Sequence, residues 1–254
     1  LNQSILIPFL LSLAAGLSTG LGALIIFIFP HPSPKFLGFS LGFSAGIMLA
    51  VSFHELLPEG MVLLGQGGIV GIKGAVCFGI GAVIAALIDR LVPGAAAIDI
   101  DIDNDIGAVA RVGFISMIAL MIHNFPEGIA TFMSGYKSLT LGISITVAIA
   151  LHNIPEGIAI AVPIYYATGD RKRAIAMPLL SGLTEPIGAL AAALLLQPIM
   201  TDAILGGLFC MIAGIMLYIA FKELMPAARS QGGIFITLIG LACGVIILGF
   251  AMSI

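Results

Sequence analysis

With 254 residues, 60% hydrophobic and 9% charged, a mean hydropathy of +1.19 and no tryptophan, the chain cannot be an ordinary soluble domain, since those carry about a quarter charged residues. Its net charge of −3 gives no basic surface for nucleic acid and no strong field for any other charged partner. The composition predicts an all-α polytopic membrane protein whose surroundings are the lipid bilayer.

Apolar runs between short polar or Pro/Gly-rich breaks predict eight transmembrane spans, at about 4–29, 36–57, 69–92, 111–134, 139–167, 174–198, 203–223 and 232–253, each long enough for a hydrocarbon core of roughly 30 Å. The opening LNQSILIPFL lacks the positive region of a secretory signal and reads as the start of span 1. The longest break, at about 93–110, is too short for a further domain, so residues 1–254 form one compact transmembrane bundle. Cys77, Cys210 and Cys243 all lie in apolar runs without a CxxC pair and read as small core residues.

Lysines and arginines orient the bundle. The odd-numbered breaks hold Lys35, Arg90, Arg111, Arg171, Lys172, Arg173, Lys222 and Arg229, against Lys73 and Lys137 in the even-numbered ones. The odd breaks are then cytoplasmic, and both termini face outside.

Span 2 carries AGIMLAVSFHELLP (Ala45–Pro58), and span 7 carries AGIMLYIAFKELMP (Ala213–Pro226), identical at 9 of 14 positions but running the opposite way. Spans 4 and 5 carry a second such pair, HNFPEG (His123–Gly128) and HNIPEG (His152–Gly157). Inverted repeats of this kind are an organisation of secondary transporters, with the substrate held near the membrane midplane.

On span 4, helical spacing puts His123, Asn124 and Glu127 on one face, and on span 5 it does the same for His152, Asn153 and Glu156. Pro126 and Pro155 each remove a helix hydrogen bond and are expected to kink their helices, while Gly128 and Gly157 permit close helix approach. Glu185, in SGLTEPIGA on span 6, adds a third carboxylate in hydrocarbon. Charges buried there need partners. No lysine or arginine lies near the three acids in sequence, so protons or metal ions must supply the positive charge. Imidazole, carboxylate and amide oxygen suit divalent transition metals, zinc foremost, with iron(II), manganese, cobalt and cadmium also compatible. Two symmetric motifs make a two-ion site with bridging glutamates a reasonable expectation. The competing reading is an intramembrane metal-dependent hydrolase, in which bound metal activates water. The HExxH signature is absent, because asparagine follows each histidine.

From AGIMLAVSFHELLPEG through HNFPEGIATF, LHNIPEGIAIAVPIYYATG and SGLTEPIGA to AFKELMP, nearly the whole chain resembles the ZIP (zinc and iron permease-like) divalent metal transporters, and most closely their bacterial broad-range zinc-uptake branch. The resemblance implies an eight-helix ZIP-type bundle in a bacterial inner membrane. It implies uptake rather than catalysis, with divalent metal ions as cargo and no resident cofactor. It further implies His123, Asn124, Glu127, His152, Asn153, Glu156 and Glu185 as metal ligands between spans 4 and 5. Met48 stands where some members place a thioether ligand, and since Met216 fills the equivalent repeat position, packing accounts for it equally well. Monomer and homodimer both fit the sequence.

Two departures from the family pattern are visible. AAAIDIDIDNDIGAVAR replaces a histidine-rich loop, and His152-Asn153 stands where some bacterial members have Gln-Asp, leaving the second metal position with fewer charges. Asp99, Asp101, Asp103 and Asp105 form an acidic comb without EF-hand spacing, read as a solvated loop or a loose cation collector. His54, Glu55 and Glu59 on span 2 and Glu223 on span 7 are placed for entrance and exit roles. His31 reads as an exposed bystander, and Asp89 with Arg90 as a helix-end charge pair.

Overall fold

The computed structural model describes residues 3–28, 33–65, 68–91 and 106–251, and every regular element among them is helical. His31, Asp99, Asp101, Asp103 and Asp105 lie outside the described residues. Helix α1 runs Gln3–Ala23 with a short continuation, Ile25–Ile28. Helix α2, Pro34–Leu63, joins Pro34–Val51 to Leu57–Leu63 through one π turn, Ser52–Leu56. Next come α3 (Gly68–Leu91), α4 (Ile106–Lys137) and α5 (Leu139–Thr168). Helix α6, Arg171–Ile199, contains Arg171–Gly182, Thr184–Ala191 and a second π turn, Ala192–Leu196.

The last helical stretch, Asp202–Phe250, is 49 residues long. At 1.5 Å per residue that is about 74 Å, more than two crossings of a core of roughly 30 Å. It is broken at Gly233, whose φ of 75° is a conformation that glycine tolerates, and we divide it there into α7 (202–232) and α8 (234–251). A third π turn, Ala220–Leu224, lies within α7. The helix therefore runs on beyond the apolar run that ends near residue 223, as α2 does beyond residue 57.

Local chemistry fixes the ends. Ser33 caps α2 by accepting from the Phe36 N–H, with Pro34 in the first turn. Asp170 caps α6 by accepting from the Lys172 and Arg173 N–H groups, and Thr201 caps α7 through the Ile204 N–H. Gly169, at φ 65°, closes α5 in the left-handed conformation. Prolines have two different effects inside the helices. Pro58, Pro198 and Pro226 each stand two residues beyond the end of a π turn. The wider turn relieves the collision between the proline ring and the carbonyl one turn back. Pro126 and Pro155 sit instead in helices that stay continuous through them.

Helix α2 packs along α8, and α3 along α7. On the other side, α1 packs along α5, α4 along α5, and α4 along the second half of α6. Glycines define these contacts. A side chain at Gly46 would collide with the carbonyl of Leu241, and one at Gly244 with that of Phe43. In the α3–α7 pair the same relation holds between Gly214 and Phe78 and between Gly81 and Met211. Likewise Gly22 faces the Ile154 carbonyl, as Gly188 faces that of Phe125, and Gly16 and Gly182 face each other. The π turns Ser52–Leu56 and Ala220–Leu224 fall at matching positions of the AGIML repeat. The inverted repeat thus extends well beyond its two recognisable sequence pairs. It relates α1, α2 and α3 to α6, α7 and α8, and α4 to α5.

Candidate metal centre

At the middle of the bundle, α4 and α5 face one another across the approximate twofold of the repeat. The two motifs meet there reciprocally. His152 Nε2 lies 3.2 Å from Glu127 Oε1, and His123 Nε2 lies 3.5 Å from Glu156 Oε1. Each contact joins α4 to α5, and each is the repeat image of the other. The Asn153 amide donates to Glu185 on α6 and, at 3.0 Å, to the Ala15 carbonyl on α1. Five of these side chains, Asn124, His152, Asn153, Glu156 and Glu185, are wholly buried, and His123 and Glu127 are nearly so.

Backbone packing holds them there. Gly128 lets the backbone of α4 touch that of α6 at Glu185, and Gly157 lets α5 touch α1 at Thr19. The hydroxyl of Ser44 on α2 donates to the His152 carbonyl (3.3 Å), and that of Thr131 to the Glu127 carbonyl (2.9 Å). Residue types alone did not single out these two hydroxyls. Their proximity to the motifs depends on how α2 meets α5 and on the turn after Glu127.

A concentration of unsatisfied polar atoms marks this centre. Glu127 Oε2, both Glu156 carboxylate oxygens, Glu185 Oε2, Asn153 Oδ1, both Asn124 amide atoms, His123 Nε2 and His152 Nδ1 are buried without a hydrogen-bond partner. Such groups ordinarily find partners, at a cost of about 1–3 kcal/mol each when they do not. Every lysine and arginine whose side chain is described is exposed, so none neutralises the carboxylates. Imidazole nitrogen with carboxylate and amide oxygen is a donor set for divalent transition metals. Among the described residues, no three histidine, cysteine, aspartate or glutamate side chains already stand as a closed ligand cluster. The arrangement is one of paired donors with spare lone pairs.

The remaining expected residues are more dispersed. Met48 is wholly buried on α2, in the apolar core that also holds Ala45, Ile47, Val51 and Met216, which are the surroundings of a packing residue. Glu55 is half-buried and accepts a hydrogen bond from Ser144 of α5 (3.1 Å), while His54 is exposed. Asp89 takes Tyr218 of α7 as its partner (2.9 Å) rather than its neighbour Arg90.

Comparison with known proteins bears on this geometry directly. The profile of the ZIP zinc transporter family matches residues 95–252. The chain is 44% identical to the zinc transporter ZupT of Chlorobaculum parvum over 264 aligned positions, covering 99% of this chain and 98% of that one. It is 41% identical to the ZupT of Streptococcus mutans, with the same coverage. It is 44% identical to that of Akkermansia muciniphila, covering 98% and 97% of the two chains. Matches of this extent, across both HNxPEG helices and their surroundings, show that the chain belongs to the ZIP zinc transporter family.

Proposed function

We propose that the protein takes up divalent transition-metal cations, zinc foremost, across a bacterial inner membrane into the cytoplasm. Eight spans, with both termini outside, carry the path. The observation that carries this reading is the reciprocal pairing of His123 with Glu156 and of His152 with Glu127, deep in the bundle and with no neutralising lysine or arginine among the described side chains. The kinship with zinc transporters supports the same cargo.

In this mechanism a cation enters from the outer side, sheds most of its water and inserts between the members of the two pairs. Each histidine then exchanges a carboxylate contact for a coordination bond, and the carboxylates supply charge from both sides. Asn124, Asn153 and Glu185 flank this position or hold a second ion, which Glu127 and Glu156 would bridge to the first. Movement of α1, α4, α5 and α6 against α2, α3, α7 and α8 exposes the centre to each side in turn, following the packing division of the fold. Nothing in this scheme asks the centre to activate water, and the family consists of transporters, so the hydrolase reading falls away.

The test is uptake of zinc, iron(II), manganese and calcium into proteoliposomes holding the purified protein. Glu127→Ala and Glu156→Ala should each abolish transition-metal flux, and calcium should move poorly because it prefers an all-oxygen shell. Normal zinc flux in both variants would overturn the site assignment.

A further inference from the structure

The repeat places an unexpected residue opposite Glu185. Aligning the glycines that make equivalent contacts, Gly16 with Gly182 and Gly22 with Gly188, sets GLSTGLGAL of α1 (16–24) against GLTEPIGAL of α6 (182–190). Only five of the nine positions are identical, but the three-dimensional relation is close. Ser18 donates its hydroxyl to the Ala15 carbonyl (2.6 Å), as Thr184 donates to the Ser181 carbonyl (2.6 Å). In this register the counterpart of Glu185 is Thr19.

The same operation turns the contact between Asn153 and Glu185 into the pair Asn124 and Thr19. Both residues are wholly buried. Neither is satisfied: Thr19 Oγ1 and both amide atoms of Asn124 lack any hydrogen-bond partner. On the Glu185 side a long acid reaches its asparagine. On the Thr19 side a short hydroxyl leaves the matching asparagine unpartnered. Three unused donor or acceptor atoms, Thr19 Oγ1 and the two amide atoms of Asn124, are the kind of partners an ordered water takes, since such waters typically make two to four hydrogen bonds.

We infer that Thr19 and Asn124 form an uncharged subsite of the cation path, which holds a water carried by the partly hydrated cation on the side opposite Glu185. This rests on the proposed transport reading and refines it. The pseudo-symmetric centre binds its cargo by charge on one side and through water on the other, so one ligand set is weaker and the cation can leave.

Zinc uptake against concentration in proteoliposomes, with zinc content per chain after equilibrium dialysis of purified protein, tests the inference. Thr19→Val is isosteric, keeps the packing and removes the hydroxyl. It should raise KM about three- to tenfold, the value of one hydrogen bond, with kcat changed much less. Thr19→Ser should recover most of that loss. Thr19→Glu supplies the missing acid, and it should retain one more zinc per chain and slow turnover. A Thr19→Val variant with unaltered KM overturns the inference. So do Val and Ser variants that are equally impaired, which would reveal a steric role, or a Glu variant with unaltered zinc content. Glu156→Ala run in parallel separates the two levels: normal flux there sinks the transport site itself, whereas lost flux beside a normal Thr19→Val sinks only the subsite.

Discussion

Helices α5 and α3 are both long and apolar, yet they occupy opposite environments. The more apolar of the two is the more exposed: an 18-residue stretch of Ile69–Arg90 in α3 has a mean hydropathy of 2.1 and is 17% buried, against 1.6 and 67% for one of Leu139–Thr168 in α5. In water this order would be reversed. In lipid the solvent is itself apolar, so side chains such as Ile69, Ile72, Val76, Ile80, Val83 and Leu87 gain nothing by turning inward. What needs the protein interior is the polar group, together with the small residues that let backbones approach it. Helix α5 therefore buries His152, Asn153 and Glu156 between helices drawn together at glycine, and α3 presents an oily face outward.

The contrast can be broken most severely at a glycine of the centre. Gly157→Ala would drive a methyl group into the Thr19 backbone carbonyl, where neither helix can yield without displacing the centre. We expect a loss of 3 kcal/mol or more, on the order of the upper range for overpacking, read as loss of monodisperse protein after detergent extraction. A smaller effect is expected from Asn153→Leu, which removes the amide that donates to both Glu185 and the Ala15 carbonyl. The fold should survive, and zinc flux should fall about 10- to 100-fold, as for other groups that orient metal ligands. Recovery of flux in Asn153→Gln at a raised KM would sharpen the point. The smallest effect belongs to α3. Gly79→Ala meets open space within 4 Å, so it should be neutral or raise the melting temperature slightly, by up to about 1 kcal/mol of helix propensity. A marked loss there would mean that this face is packed against protein rather than lipid.

How much of this was legible in the sequence depended on the kind of signal. Hydropathy located the helices, since lipid demands long apolar runs with internally satisfied backbone. The twin HNxPEG motifs announced a polar centre because such groups are rare in that setting. Asn153 and Glu185 were both visible as candidates but their contact was not, and Thr19 was not visible at all. A threonine in an apolar run looks like ordinary helix composition until the register fixed by Gly16 and Gly182 sets it against an acid. The glycine contacts were hidden for a related reason: a glycine shows that close approach is allowed but not which helix approaches. Nor did the sequence distinguish the prolines that follow π turns from Pro126 and Pro155, which stand in continuous helices, since that depends on the width of the preceding turn. The resemblance to a known family had already pointed to the candidate site residues, and the fold added which of them are paired.

The π turns have a consequence for how this gene can vary. Each inserts a fraction of a residue's rotation into its helix, so the segment beyond it is phased differently from the segment before. In α2 the re-phased segment brings Gly60 against Gly206 of α7, close enough that a Cβ on either would crowd the other's backbone. Losing one residue from Ser52–Leu56 would remove the wide turn and shift everything beyond it, around and along the axis, by the part of one residue's rotation and rise that the turn does not absorb, so that Gly60 would no longer meet Gly206 in the same way. Point changes in these turns alter chemistry locally, but a single-codon deletion there acts as a frameshift in three dimensions. Lengths at 52–56 and 220–224 should therefore be far less free to drift than the identities of the residues that fill them.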